Sequence, residues 1–67
     1  MERTRLAVNV EKYRNAKGYT QPELARLVDV DQTMISKIEK GKRNPSVPLL
    51  EDLADKLGVT IDDLVRG

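Results

Sequence analysis

The sequence predicts an all-α fold, five short helices in a single domain spanning residues 1–67, on three observations. Apolar residues recur at spacings of three and four nearly throughout, whereas the strict alternation of a half-buried strand is scarce. Residues that cap helix N-termini (Thr20, Asp31, Ser46, Thr60) stand just ahead of those apolar rows, and Gly18, Gly41 and Gly58 stand where rows end. The connecting stretches are only two to six residues long, as expected between helices that pack directly on one another.

The first helix is predicted from near Thr4 to Ala16, with Leu6, Val10 and Tyr13 on one face and Gly18 as its stop. Tyr13 therefore reads as a core residue. Thr20 opens the second helix with Glu23 as its capping-box partner and Pro22 in the first turn, where a missing N–H costs nothing. Leu24, Ala25 and Val28 form its buried stripe. The turn-like Asp29-Val30-Asp31 ends it, and Asp31 caps a third helix from Gln32 to Lys40 with Ile35 and Ile38 facing inward. A loop, Gly41-Lys42-Arg43-Asn44-Pro45, leads to Ser46, which caps a fourth helix, Val47 to Leu57. Its apolar side is expected to be Val47, Leu50, Leu53, Ala54 and Leu57. Thr60 with Asp63 forms one more capping box, and the last helix carries Ile61, Leu64 and Val65.

Composition removes most catalytic chemistry. There is no cysteine and no histidine, hence no disulfide, zinc-finger ligand set, thiol nucleophile or imidazole base, and the carboxylates are scattered over helix surfaces. The chain reads as a non-enzyme without metal or cofactor. Two aromatic residues, Tyr13 and Tyr19, are too few for a protein that stacks unpaired bases on rings. No apolar run approaches the roughly 18 residues that cross a bilayer, and nothing resembles a signal peptide, so the expected location is cytoplasmic, away from membranes.

The formal charge of +1 hides an asymmetry: residues 1–45 hold ten Lys/Arg against six Asp/Glu, and residues 46–67 hold two against five. Lys37, Lys40, Lys42 and Arg43 crowd into seven positions with only Glu39 opposing them. Such a patch suits phosphate contact, and by charge alone it equally suits a solvated loop.

Two short helices, Gln21–Val28 and Gln32–Lys40, joined by a three-residue turn make the outline of a helix-turn-helix. Leu24, Val28, Val30, Ile35 and Ile38 are apolar where the second helix must lock across the first, and Ala25 is small at the crossing. The stretch Thr20-Gln21-Pro22-Glu23-Leu24-Ala25, followed by Ile35-Ser36-Lys37-Ile38-Glu39-Lys40-Gly41-Lys42-Arg43-Asn44-Pro45, resembles the phage repressor/Cro, or xenobiotic-response-element, family of helix-turn-helix domains. The likeness continues through Leu50, Leu53-Ala54 and Leu57-Gly58-Val59 to Asp63-Leu64, and covers about Leu6 to Val65. Two positions depart from the family pattern. Asp29 stands where glycine is common in the turn, and Met34 stands where a small polar residue is frequent, which leaves base preference open.

The resemblance implies a five-helix lambda-repressor-like fold and a sequence-specific, double-stranded-DNA-binding transcriptional regulator acting as a repressor. A major groove about 12 Å wide admits one α-helix, and in this motif the second helix enters with its N-terminal residues nearest the bases. Gln32, Thr33 and Lys37 are then expected on base edges, with Ser36 on a base or a phosphate. Gln21, Lys40, Lys42, Arg43 and Asn44 are expected on the backbone, where contacts position the domain without reading sequence. The resemblance also implies that Arg14 and Glu39 pair, tying the first helix to the end of the third. Repressors of this kind bind as homodimers to half-sites about 34 Å apart. Val59, Ile61 or Val65 would supply a small self-association patch, weak in the absence of DNA. A different class of function, an antitoxin or co-regulator working through protein–protein contacts, is the alternative.

Overall fold

A computed structural model describes residues 3–67. Five helices follow one another: α1 (Arg5–Lys17), α2 (Gln21–Leu27), α3 (Gln32–Glu39), α4 (Val47–Leu57) and α5 (Ile61–Arg66). The expected boundaries shift by one residue at the ends of α1, α2 and α3: Thr4, Val28 and Lys40 stand as caps rather than helical residues, and α1 runs on through Lys17 to its cap at Gly18.

Every N-terminus is built the same way. Thr4, Thr20, Asp31, Ser46 and Thr60 hold extended backbone while their side-chain oxygens accept an N–H three residues on. At α2 and α5 the capping box is reciprocal: Glu23 accepts from the Thr20 N–H at 2.9 Å and Asp63 from the Thr60 N–H at 3.0 Å. That backbone hydrogen bond is the main reason the Glu23 carboxyl lies below the ordinary glutamate range.

The turn between α2 and α3 closes by the hydrogen bonds of a Schellman motif, Asp29 N–H to Arg26 C=O (3.3 Å) and Val30 N–H to Ala25 C=O (2.9 Å). The closure needs a left-handed residue, and Asp29 takes that place at φ +58°, alone among the described non-glycine residues. Aspartate tolerates this region better than most side chains, which is why the departure from glycine leaves the turn intact. Gly41 takes the matching place after α3 at φ +75°. An added Cβ there would stand 3.4 Å from Arg3 Cα, so the chain start packs directly over the end of α3.

One core joins all five helices. Val10, Leu24, Ile35, Ile38, Leu53, Leu57 and Leu64 are its fully buried large side chains. Leu6 and Tyr13 pack against it half-buried, as do Val30, Met34, Leu50 and Val59. α1 is the spine, in contact with α3, α4 and α5, while α2 leans on α3.

Two apolar expectations are corrected. Val47 is 69% exposed, and Leu49 is buried in its place. Leu49, Leu53 and Leu57 form a single i, i+4, i+8 row, and Val47 lies off that row in the first turn. Val59, expected in an exposed self-association patch, packs half-buried against the core, whereas Ile61 and Val65 are more than a third exposed as that patch requires, and only Leu64 of α5 is buried.

Candidate nucleic-acid interface

α3 is split lengthwise by its neighbours. Ile35 and Ile38 face the core, with Met34 half-buried beside them. The opposite side presents Gln32, Thr33, Ser36 and Lys37, of which all but the half-buried Ser36 are exposed. Thr33 and Lys37 are one turn apart and line two depressions at once, so they form a ridge between them. The larger depression, about 310 Å³, is lined by Gln32, Thr33, Ser36, Lys37, Lys40 and Lys42, three ammonium groups and no carboxylate. The smaller, about 100 Å³, adds Asp31, Met34 and Arg43 to the ridge residues. A third hollow runs from Met34 and Arg43 over Asn44 to Ser46 and Leu49 at the start of α4. None of Gln32, Thr33, Ser36, Lys37, Lys40, Lys42, Arg43 or Asn44 hydrogen-bonds through its side chain to another described residue. A convex, donor-rich helix edge flanked by cationic hollows matches the shape and charge of a groove walled by phosphates.

Arg14 and Glu39 lie behind this face, and Gln21 is half-buried against Glu39. Arg14 and Glu39, with side chains 11% and 3% exposed, meet in a two-point pair: Arg14 Nε donates to Glu39 Oε2 at 2.7 Å and Nη2 to Oε1 at 3.1 Å. Arg14 Nη1 donates to the Tyr19 carbonyl at 2.8 Å, in the loop between α1 and α2. The hydrogen bond to Glu39 raises the arginine pKa above its ordinary value, outweighing the lowering effect of burial, so the guanidinium stays charged. Gln21, expected on a phosphate, donates its Nε2 to Glu39 Oε1 at 2.9 Å. One buried carboxylate thus joins α1, the first residue of α2 and the last of α3.

Two structural contacts escaped the sequence reading. Asn9, 4% exposed, directs its Nδ2 at the carbonyls of Asp63 (3.3 Å), Leu64 (2.9 Å) and Gly67 (3.3 Å), closing the end of α5. The one signal was its place between Leu6 and Val10 on the inward side of α1, unlike the exposed Asn15. Arg3 bonds Glu11 Oε1 (2.5 Å) and the Glu39 carbonyl (3.1 Å), placing a cation at the negative end of α3. No periodicity could have indicated that contact, because its partners are 8 and 36 residues away.

A family model described as helix-turn-helix, HTH_3, matches residues 10–64. The chain belongs to the phage repressor/Cro-like helix-turn-helix family. Among its relatives in that family is an uncharacterized HTH-type transcriptional regulator, y4dJ, of Sinorhizobium fredii. It is 40% identical over 57 residues, which are 85% of this chain and 74% of the relative. The master regulator for biofilm formation SinR, solved in complex with DNA, superposes with a TM-score of 0.82 at 33% identity, over 88% of this chain and 95% of that one. The P22 c2 repressor protein, solved in complex with synthetic operator 9T, gives a TM-score of 0.90 over all of this chain and 98% of that one. At 22% identity it establishes the family fold alone.

Proposed function

We propose that this chain is a sequence-specific transcriptional regulator of double-stranded DNA that inserts α3 into the major groove and represses by covering promoter DNA. The observation that carries this reading is the α3 ridge. Gln32, Thr33 and Lys37 stand outward without internal partners, and Lys37, Lys40 and Lys42 surround the depression beside them. Glutamine reads adenine through paired hydrogen bonds, lysine donates to guanine, and threonine offers a hydroxyl to a base or a methyl to thymine. Ser36, at the inner margin, reaches a base or a phosphate. Lys40, Lys42, Arg43 and Asn44 hold the flanking backbone. DNA-bound SinR, at 33% identity, supports the assignment. Two copies bind a two-fold-related site, and the exposed Ile61 and Val65 form the small apolar contact between them.

Selection of bound duplexes from a randomised pool tests this directly. Wild type is expected to recover a motif, two-fold symmetric with half-sites about one helical turn apart. Gln32→Ala and Lys37→Ala are expected to change or erase that motif. Lys42→Ala should weaken all duplexes alike and flatten the log–log salt slope by about 0.9. Recovery of no duplex above background by wild type would refute the reading and favour a protein partner.

A further inference from the structure

Glu39 lies at the centre of the hydrogen-bonded cluster behind the groove-facing surface, at 2% exposure. Its Oε1 accepts from two donors, Arg14 Nη2 at 3.1 Å and Gln21 Nε2 at 2.9 Å, and its Oε2 accepts Arg14 Nε at 2.7 Å. Arg14 already gives each carboxylate oxygen one donor, and the further bond fixes Gln21 as much as it serves Glu39. A carboxylate accepts hydrogen bonds and does not donate them, so the atom of Gln21 facing it is nitrogen. Rotation about the terminal torsion of a glutamine is otherwise loose and two-fold, with nitrogen and oxygen readily exchanged. Glu39 removes that freedom. The amide nitrogen carries two hydrogens; Glu39 holds one, and the second has no acceptor among the described residues. Gln21 is half-buried, so its amide is not wholly enclosed, and the carboxylate that holds it belongs to the last residue of α3, next in the chain to Lys40.

We propose that Glu39, buried and out of reach of DNA, is a positioning residue for DNA binding: it locks the Gln21 amide with its second N–H free to donate to a backbone phosphate. The opposite flip would turn the amide oxygen toward the phosphate and repel it. The Arg14–Glu39 pair thus anchors a phosphate donor as well as joining α1 to α3. This inference rests on the DNA-binding reading above.

The test compares duplex affinity for wild type, Gln21→Ala, Glu39→Gln and the double variant across a salt series, at a temperature where circular dichroism shows each to be folded. Gln21→Ala is expected to bind specific and random duplexes alike about ten-fold more weakly, the loss of one hydrogen bond to a charged group. Its salt slope should be unchanged, because a neutral donor displaces no counterion. Glu39→Gln should lose a similar factor, and the double variant should bind no worse than Glu39→Gln alone. Penalties that multiply in the double variant would overturn the inference. A second measurement covers the case in which Glu39→Gln does not fold. In labelled wild-type protein titrated with duplex, one proton of the Gln21 side-chain amide is expected to shift strongly and its partner little. If the α3 backbone amides move and neither Gln21 proton does, the positioning role is wrong while DNA binding stands. If wild type binds no duplex at all, both fall.

Discussion

Two regions of α3 share one short helix and differ in where their polar groups find partners. At the C-terminal end, Glu39 is buried and accepts from Arg14 and Gln21, with Arg3 on its carbonyl. Along the outer side, Gln32, Thr33, Lys37 and Lys40 have no side-chain partner among the described residues. A buried charge without its counterpart is severely penalised, so the first region holds the shape of the domain. An exposed donor bonded only to water is available to whatever comes next. The same short helix therefore carries one region that fixes geometry and one that is offered to a partner.

The largest break in this comparison comes from the buried region. Arg14→Ala strands the Glu39 carboxylate and should cost about 3–5 kcal/mol. In a domain of this size that lowers the melting temperature by at least about 12 °C. Lys12→Ala, on an exposed lysine of the same helix, should cost less than about 1 kcal/mol, since Lys12 lies over the Tyr13 ring at 5.2 Å and makes no buried pair. Equal melting temperatures for the two variants would erase the distinction between anchoring and free charges.

A smaller effect is expected at the turn that sets α3 against α2. Asp29→Gly removes the left-handed strain of a residue with a Cβ and adds chain entropy to the unfolded state. The two oppose each other, and a net stabilisation below about 1 kcal/mol is expected in denaturant melts, with no change in duplex selection. Destabilisation by more than about 1 kcal/mol, beyond what chain entropy supplies, would mean that the Asp29 carboxylate, rather than its backbone, holds the turn.

The smallest expected change sharpens the comparison most. Lys37→Ala combined with Lys42→Ala should leave unfolding free energy within about 0.5 kcal/mol of wild type by chemical denaturation while abolishing tight duplex binding. A large loss of stability would show that the outer region is part of the scaffold after all.

Caps and stops were the most legible part of the fold. Thr20, Asp31, Ser46 and Thr60 act on residues three positions away, and Gly18, Gly41 and Gly58 act on their own backbone, so a local reading suffices. The α3 residues were legible for a related reason: Ile35 and Ile38 face inward, and helical geometry turns Gln32, Thr33 and Lys37 outward. Val47 was misplaced because its spacing to Leu50 and Ala54 suits one helical face, whereas the buried row runs through Leu49, Leu53 and Leu57, a choice between faces that packing makes. Asn9 beside Val10 hinted at a buried amide but not at its partners, and those carbonyls, like the Glu39 carbonyl that Arg3 meets, are groups every residue possesses and no residue type announces.

The sequence by itself determined the number of helices, their start and stop signals, the helix-turn-helix spacing and the cationic run from Lys37 to Arg43, all of which depend on residues within a few positions of one another. Tertiary structure alone decided that Glu39 meets Gln21 as well as Arg14, that Asn9 closes α5, and that Thr33 and Lys37 form a ridge between two hollows. These depend on the distance and angle between helices, quantities set when the whole core packs at once and absent from any short stretch of chain.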